Sequence, residues 1–246
     1  MKICVLKTSG EMAREAAAET AEAINRTIRE RGEARILLST GESQIESLGC
    51  LTRMEVSWDK VTMFHLDEYM NLPESHKASF RKYLKERFID VVKPKMAYLV
   101  DGEGDVEANI ADLTRALREA PIDVALVGIG ENGHIAFNDP PADFDTEAAY
   151  KIVNLDDRCK QQQVNEGWFA SLDEVPAQAI TMTVPQIMKC RTIVTIVPGV
   201  RKGDAIYKTL SAKAVTNQVP ATILKTHPDW CLFLDQDSAS QILPQV

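Results

Sequence analysis

The chain has 246 residues, of which 45% are hydrophobic and 26% charged, and its formal net charge is −8. This length fits one large domain or two small ones, and the acidic balance argues against a nucleic-acid surface. No apolar run approaches membrane-spanning length and no signal peptide is evident at the N-terminus, so we expect a cytoplasmic protein that does not enter a membrane.

Strands and helices alternate along the whole chain. In order, the pattern predicts a strand at 3–6, a helix at 10–31, a strand at 34–39, a helix at 44–54, a strand at 61–66, helices at 79–89 and 108–119, a strand at 123–129, strands at 179–184 and 192–197, a helix at 201–211 and a strand at 231–234. This alternation predicts an α/β fold with a mostly parallel sheet and helices on both faces. No linker or repeat divides the chain, so we expect one domain over residues 1–246.

The most distinctive segment is the loop 128–140 (GIGENGHIAFNDP), which follows the unbroken apolar run 124–127. Open α/β sheets bind ligands at the carboxyl ends of their strands, and glycines let backbone N–H groups approach a ligand. His134 exchanges protons near neutral pH, and Asp139 is the nearest side chain that can fix its tautomer. Because amides such as Asn132 and glycines surround it, we favour a functional over a structural role for His134.

The turn at 39–44 is a second candidate. Ser39, Thr40, Gly41 and Ser43 offer hydroxyls and backbone N–H groups to an anion at the start of the predicted helix. The alternative is a plain helix cap, in which Ser43 caps the helix and Glu46 completes a capping box. For the turn taken alone, that alternative is favoured.

The segment 64–69 (FHLDEY) places two acids where a buried strand ends. Asp67 and Glu68 are compatible with a general base, a metal ligand or an acceptor for sugar hydroxyls. In the alternative interpretation, Asp67 caps a turn and Glu68 faces solvent. His65 lies within the strand and is expected to be a satisfied core histidine.

Three cations are weaker candidates for anion binding. Lys202 opens the predicted helix 201–211, and Arg158 and Lys160 lie beyond the histidine loop. Each of them alternatively faces water. The five cysteines are scattered without a CxxC pair, and no HxxxH motif or neighbouring cysteine completes a zinc site, so we expect neither disulfides nor a metal.

The segments 64–69 and 128–140 closely resemble the two signature segments of the glucosamine-6-phosphate deaminase (isomerase) family, which is related to the 6-phosphogluconolactonases. The turn 39–44 looks like a variant of that family's phosphate loop, and segments 197–202 and 224–228 fall in the expected order. The resemblance implies a Rossmann-like fold shared with ribose-5-phosphate isomerase and CoA transferases. It also implies a cofactor-free amino sugar phosphate deaminase, formally a hydrolase.

Carried over by motif, the resemblance makes Asp67 the base that moves a proton between C2 and C1 of the sugar. His134 would open the sugar ring, with Asn132 and Asp139 orienting it. The residues expected to bind a sugar phosphate are Ser39, Thr40, Gly41, Ser43, Gly133, Lys202, Arg158 and Lys160.

This chain departs from the family pattern at several positions. Asp139 stands where many members have Glu, and Gly41-Glu-Ser-Gln44 replaces the common Gly-Gly-Thr-Pro. Glu42 therefore puts a negative charge beside the expected anion site, which weakens binding unless its side chain points away. The acidic segment 141–147 predicts no allosteric activation by an effector phosphate. A homo-oligomer is compatible with the sequence.

Two other functions remain open. A lactonase of the 6-phosphogluconolactonase type would use His134 as a base on water and would not need Asp67 to carry a proton between carbons. A non-catalytic sugar-phosphate sensor of the transcriptional type needs a helix-turn-helix, for which this sequence offers no additional segment, although a sensor that acts through a protein partner is compatible.

Overall fold

The computed structural model describes residues 1–243 as two β-sheets surrounded by helices. In chain order, the strands of this part are β1 Lys2–Leu6, β2 Ala34–Leu38, β3 Val61–His65, β4 Asp67–Tyr69, β5 Met96–Tyr98, β6 Val124–Val127, β7 Tyr150–Asn154, β8 Gln178–Met182, β9 Thr192–Val197 and β10 Trp230–Asp235. The α-helices are α1 Ser9–Arg31, α2 Ile45–Leu51, α3 Phe80–Leu84, α4 Asp90–Val92, α5 Val106–Glu119, α6 Asp157–Asn165, α7 Val184–Ile187 and α8 Gly203–Ser211.

The larger sheet has the strand order β1-β10-β9-β6-β2-β3-β5, and its neighbouring strands run parallel. Alternate side chains of a strand point to opposite faces. Leu37 of β2 therefore packs with α5 and α8, whereas Ile36 and Leu38 pack with α1 and α2. The expectation of a mostly parallel sheet covered by helices on both faces is confirmed.

Helix α1 shows how the sequence sets the bounds of these elements. The hydroxyl of Thr8 accepts a hydrogen bond from the backbone N–H of Glu11 at 3.2 Å and so caps the first turn. Gly32 ends the helix with a φ of 87°, a left-handed conformation that glycine adopts at low cost. Between the two caps, an alanine-rich face is buried, and these small side chains let the helix pack against α2 and β10.

The smaller sheet is antiparallel and has the order β4-β8-β7. The strand expected at 179–184 exists as β8, but it pairs in this second sheet, which its apolar run did not indicate. Ile180 and Met182 of β8 pack in the same hydrophobic cluster as Phe64 of β3, so the two sheets share a core. A shared core ties the geometry of the small sheet to that of the large one.

Leu66 is the single residue between β3 and β4. β3 ends at His65 and β4 begins at Asp67, so the chain leaves the parallel sheet and enters the antiparallel one within a single residue. The N–H of Leu66 donates to the carbonyl of Leu38 at 3.1 Å, and its carbonyl accepts from the N–H of Met182 at 2.9 Å. This junction fixes the position of the next residue, Asp67, relative to both sheets.

Several elements differ from the sequence prediction. The helix expected at 79–89 is α3 followed by the π-helical stretch Lys85–Ile89, and that expected at 44–54 is shortened to α2. β5, β7 and α6 were not predicted, because none of them carries a clear apolar period. The cysteines are free thiols, as expected. Among residues 1–243, no helix is both long and apolar enough to cross a bilayer.

Gly102 offers a test of how tightly the region around β4 is packed. A Cβ at this position would overlap the carbonyl of Tyr69, and the Gly102 carbonyl accepts a hydrogen bond from the N–H of Asn71 at 2.8 Å. We expect Gly102→Ala to lower the free energy of unfolding by about 1–3 kcal/mol, because the backbone must shift. Urea unfolding monitored by circular dichroism measures this change.

Gly49→Ala is the matched control. Gly49 lies within α2, and a Cβ there would meet only the end of the Arg53 side chain, at 4.0 Å. Alanine should therefore stabilise the protein by about 0.5–1 kcal/mol, since it loses less backbone entropy on folding than glycine does. Equal effects of the two substitutions would contradict the packing described for Gly102.

Candidate active site

The loops that follow four neighbouring strands, β9, β6, β2 and β3, form a cleft at the carboxyl edge of the large sheet. The cleft encloses about 560 Å³ of space, part of it open to solvent. It brings together most of the residues predicted from the sequence, namely Ser39, Thr40, Gly41, Ser43, Asp67, His134 and Lys202. Because parallel strands end at one edge, segments far apart in sequence meet there.

His134 is held by two neighbours from its own loop. Its Nδ1 lies 2.9 Å from Oδ1 of Asp139, and its backbone N–H donates to Oδ1 of Asn132 at 3.0 Å. The amide of Asn132 also donates to Oδ1 of Asp139 at 2.9 Å. Burial raises the pKa of Asp139. Together, the contact with His134 and the hydrogen bond from the Asn132 amide have a larger, opposite effect, so that pKa lies below its usual value. The carboxylate therefore stays ionised beside the imidazole.

The loop geometry that presents His134 depends on Gly130 and Asn138. The Cε1, Nε2 and Cδ2 edge of the imidazole packs directly over Gly130, where a Cβ would overlap the ring. The buried amide of Asn138 donates to the carbonyls of Ile135 and Met182, both at 2.9 Å, and so ties the loop to β8. Because Nδ1 is the ring nitrogen beside Asp139, Nε2 is the one left for a bound molecule.

Asp67 lies on the cleft wall and is only 5% exposed. Burial raises its pKa well above the ordinary value, and the neighbouring charge of Glu68 adds to that effect. A carboxylate with such a raised pKa is a stronger base than one in water. This environment is typical of functional carboxylates, and structural ion-pair networks also produce it.

Glu68 is fully buried, so the alternative in which it faces solvent is wrong. Its carboxylate accepts hydrogen bonds from the N–H groups of Tyr69, Phe80 and Arg81 and from the hydroxyl of Ser79, at 2.8–3.2 Å. Burial raises its pKa, and these bonds offset part of the rise. Glu68 therefore ties β4 to α3 and supports Asp67 structurally.

His65 is a core residue, as expected, but it is only half satisfied, because its Nε2 has no hydrogen-bond partner among residues 1–243. It is fully buried, and its Nδ1 accepts a hydrogen bond from the N–H of Val100 at 3.3 Å. Burial and the nearby charge of Arg81 lower its pKa to about 3, which keeps the ring neutral at physiological pH.

The turn after β2 forms another wall of the cleft. The hydroxyls of Ser39 and Thr40 are buried and have no hydrogen-bond partner among residues 1–243. Buried polar atoms without partners are costly, so these hydroxyls are suited to receive a polar ligand. The capping alternative is not observed, since α2 begins after Gln44 without a side-chain cap.

Lys202 and Glu42 are charged residues of the cleft beside the turn after β2. Lys202 is 7% exposed, and burial lowers its pKa although nearby carboxylates raise it in part. Glu42 instead pairs with Arg201, whose guanidinium lies 3.3 Å from the Glu42 carboxylate. Because Glu42 has its own counter-ion, its charge is partly neutralised and Lys202 remains available for an anion.

Five predicted residues do not line this cleft, namely Asn132, Asp139, Gly133, Arg158 and Lys160. Asn132 and Asp139 instead contact His134 from within its own loop. Arg158 and Lys160 lie in the first half of α6, whereas the second half of that helix borders the cleft. Arg158 lines a separate cleft, and Lys160 lines a third. Gly133 has a φ of 86°, and its carbonyl accepts a hydrogen bond from the N–H of Ala221 at 2.9 Å. Its backbone thus supports the loop.

Helix α6 also contributes residues that the sequence interpretation did not assign. Gln162, Gln163 and Glu166 line the cleft, and Gln163 accepts a hydrogen bond from the hydroxyl of Tyr69 at 2.7 Å. One turn earlier, Cys159 lies within 4.8 Å of His134 and Asp139, which their distance in sequence did not indicate. Positions 159, 162, 163 and 166 have the spacing of residues that share one face of a helix. That periodicity is the sequence signal from which these residues could have been grouped.

Comparison with known proteins identifies the family. Residues 7–232 match the sequence profile described as glucosamine-6-phosphate isomerases/6-phosphogluconolactonase. The glucosamine-6-phosphate deaminase of Lactobacillus delbrueckii subsp. bulgaricus is 32% identical over 241 residues, covering 98% of this chain and 99% of the relative. That of Halothermothrix orenii is 37% identical over 211 residues, covering 82% and 86%.

Solved structures agree. A monomeric glucosamine-6-phosphate deaminase has a TM-score of 0.88 at 28% identity and covers 98% of this chain and 100% of its own. A 6-phosphogluconolactonase from Thermotoga maritima, with a TM-score of 0.78 at 15% identity, covers 95% and 99% and shares the fold. The fold and the cleft define an α/β enzyme with a buried carboxylate and a paired histidine. The chain belongs to the glucosamine-6-phosphate isomerase/6-phosphogluconolactonase family.

Gly130→Ala tests whether this glycine positions the imidazole. The new Cβ should push His134 away, so its Nδ1 should separate from Asp139 beyond the present 2.9 Å. A crystal structure of the variant measures that distance. Gly128→Ala is the control in the same loop, because its Cβ would meet only the ends of the Gln44 and Ser43 side chains, at 3.3 and 3.9 Å. An imidazole that stays in place in the Gly130 variant would show that Gly130 does not determine the position of His134.

Proposed function

We propose that this protein converts an amino sugar 6-phosphate, with glucosamine 6-phosphate as the leading candidate, to a ketose phosphate and ammonia. The observation that carries the proposal is that Asp67 and His134 border the same cleft, which the hydroxyls of the turn after β2 also line. Aldose–ketose isomerisation needs a carboxylate that reaches two adjacent carbons, and ring opening needs a second group that exchanges protons near neutral pH.

In the first step, His134 opens the sugar ring. Nε2 of the imidazole, over Gly130, takes the proton of the C1 hydroxyl and returns it to the ring oxygen as the bond between C1 and that oxygen breaks, which yields the open-chain aldehyde. Asp139, held by Asn132, fixes the tautomer and stabilises the ring when it is charged. Asn132 and Asp139 thus act through His134.

In the second step, Asp67 removes the proton from C2 and delivers it to C1. The open-chain aldehyde becomes an enolamine and then a 2-imino sugar. Water adds to the imine carbon and ammonia leaves, so the overall reaction consumes one water and releases one ammonia. The burial of Asp67 supports this role, because a desolvated carboxylate abstracts a weakly acidic proton more readily.

The phosphate group is assigned to the turn after β2 and to Lys202. Ser39, Thr40, Gly41 and Ser43 offer hydroxyls and backbone N–H groups there, and the buried Lys202 supplies positive charge. Fixing the phosphate would place C1 and C2 at Asp67, and such positioning is a large part of catalysis in general.

A panel of substrates tests the proposal directly. Purified protein is incubated with glucosamine 6-phosphate, its C4 epimer and 6-phosphogluconolactone, and release of ammonia and hydrolysis of the lactone are both measured. We expect ammonia from at least one amino sugar phosphate. Lactone hydrolysis without ammonia release would favour the lactonase alternative, and inactivity on all three would favour the sensor.

Asp67→Asn separates the two enzyme functions. A deaminase needs this carboxylate to move a carbon-bound proton, so kcat for ammonia release should fall by about 10²–10⁴-fold. A lactonase that uses His134 as its base should lose much less. Binding of substrate, followed by isothermal titration calorimetry, serves as the folding control.

The pH profile of the wild type gives a second readout for Asp67. Asp67 acts as a base only when ionised, and its pKa is raised, so kcat/KM should rise with pH through a value above that of an ordinary carboxyl group. The Asn variant should lack this rise in its residual activity. A wild-type profile that is flat across that range would argue against Asp67 as the base.

Lys202→Gln tests the phosphate end of the cleft. Loss of a charged hydrogen-bond donor, worth about 1.5–3 kcal/mol, should raise KM by about 10- to 100-fold. The thermal stabilisation of the protein by inorganic phosphate should decrease as well. Arg158→Gln and Lys160→Gln should leave KM unchanged, because neither side chain lines the cleft. A KM effect of either control would restore these two residues as substrate ligands.

A further inference from the structure

Three potential metal ligands lie close together where the loop 128–140 contacts helix α6. Nδ1 of His134, a carboxylate oxygen of Asp139 and Sγ of Cys159 all lie within 4.8 Å of one another. His134 and Asp139 belong to the proposed ring-opening machinery, whereas no step of that reaction uses Cys159. A buried thiol at this position is therefore a feature of this chain that the proposed reaction does not explain.

The fold holds Cys159 rigidly in the cluster. Its backbone N–H donates to the side chain of Asp156 at 2.7 Å, which caps the first turn of α6, and the residue is only 1% exposed. Asp139 has one oxygen, Oδ1, in contact with His134 and Asn132. Its other oxygen, Oδ2, is buried and has no hydrogen-bond partner among residues 1–243. The carboxylate therefore has an oxygen free for a further ligand, and the thiol of Cys159 is close enough to it to help lower the pKa of Asp139.

The chemistry of these donors suits a borderline-soft divalent cation. Zinc binds thiolate, imidazole and carboxylate at about 2.0–2.3 Å, so its ligand atoms lie about 3–4 Å apart, a separation that small side-chain movements provide here. A thiolate and a carboxylate together carry the two negative charges that neutralise such an ion. Hard cations such as magnesium prefer oxygen ligands and should bind poorly.

A second cleft borders this cluster. It is lined by Cys159 and Asn132, together with Pro140 and Gln162, whereas His134 lines the first cleft. An ion in the second cleft therefore lies next to the residue that carries the thiol, and a small side-chain movement exposes the sulfur. An entry path of this kind is one of the requirements of a real metal site.

We propose that His134, Asp139 and Cys159 form an inhibitory site for zinc-like divalent cations. The thiol proton passes to solvent as the metal–sulfur bond forms, and water completes the coordination. The Nδ1 proton of His134 moves to Nε2 through solvent, and the ion then binds the freed Nδ1 lone pair and the carboxylate of Asp139, so the pair that fixes the imidazole is broken. Ring opening should then stop, a consequence that depends on the proposed function, whereas binding itself does not.

Cadmium binding tests the site independently of activity. Metal-free protein is titrated with Cd²⁺, and the thiolate-to-cadmium charge-transfer band is followed in the ultraviolet. We expect saturation at one ion per chain, and loss of this band in Cys159→Ala and Cys159→Ser. Cys50→Ala is the control, because Cys50 is also buried but lies on α2, outside the cluster. A band that persists in both Cys159 variants, or disappears in the Cys50 variant, would overturn the proposal.

Zinc titration of ammonia release and a zinc-soaked wild-type crystal complete the test. We expect the zinc concentration for half-inhibition to rise by at least about tenfold in Cys159→Ser, whose uninhibited rate should match the wild type. Anomalous density among the three side chains of the wild type supports the site even if a variant fails to fold, and its absence from a fully soaked crystal refutes it. If the protein releases no ammonia, the proposed function fails, and the cadmium and crystal results still decide the metal site.

Discussion

The position of Asp67 depends on one constraint, the passage of the chain from the parallel sheet to the antiparallel sheet across Leu66. Hydrogen bonds from Leu66 to both Leu38 and Met182 hold this junction to the two sheets at once. Glu68, the residue after Asp67, then ties β4 to the start of α3 through three hydrogen bonds, from Ser79, Phe80 and Arg81. A carboxylate fixed from both sides can remain buried at the cleft wall, where a side chain on a mobile loop would turn toward water.

The electrostatics of the cleft follow from that burial. Desolvation raises the pKa of Asp67 and lowers that of Lys202, so both groups are less easily charged than they are in water. A phosphate near Lys202 would favour its charged form, and the partial pairing of Glu42 with Arg201 leaves that lysine available. The unusual glutamate in the phosphate turn is thus compatible with an anion site, because the fold supplies it with a counter-ion from the loop after β9.

The sequence predicted the large sheet well, because β2, β6, β9 and β10 are dominated by apolar residues, as buried parallel strands require. It did not predict β7 or α6. In β7 only Tyr150 of the five residues is buried, and α6 is dominated by glutamine and charged residues. Asp67, His134 and the turn after β2 were found because they follow strands. Gln163 and Cys159 were not, because the helical spacing that they share shows a common face of α6 but not that this face packs toward the cleft.

The closeness of Cys159 to the His134–Asp139 pair carries a cost for catalysis. A catalytic carboxylate–imidazole pair must be held firmly, yet Oδ2 of Asp139 finds no partner among residues 1–243, and the nearest additional donor group is a thiol. A glutamate at position 139 would have a longer reach to the imidazole and a different approach to position 159. The shorter Asp139 and the thiol at 159 are therefore best understood together, since the first leaves an unsatisfied oxygen and the second supplies the soft ligand beside it. The same local geometry that orients the imidazole thereby creates a metal-sensitive point in the proposed active site.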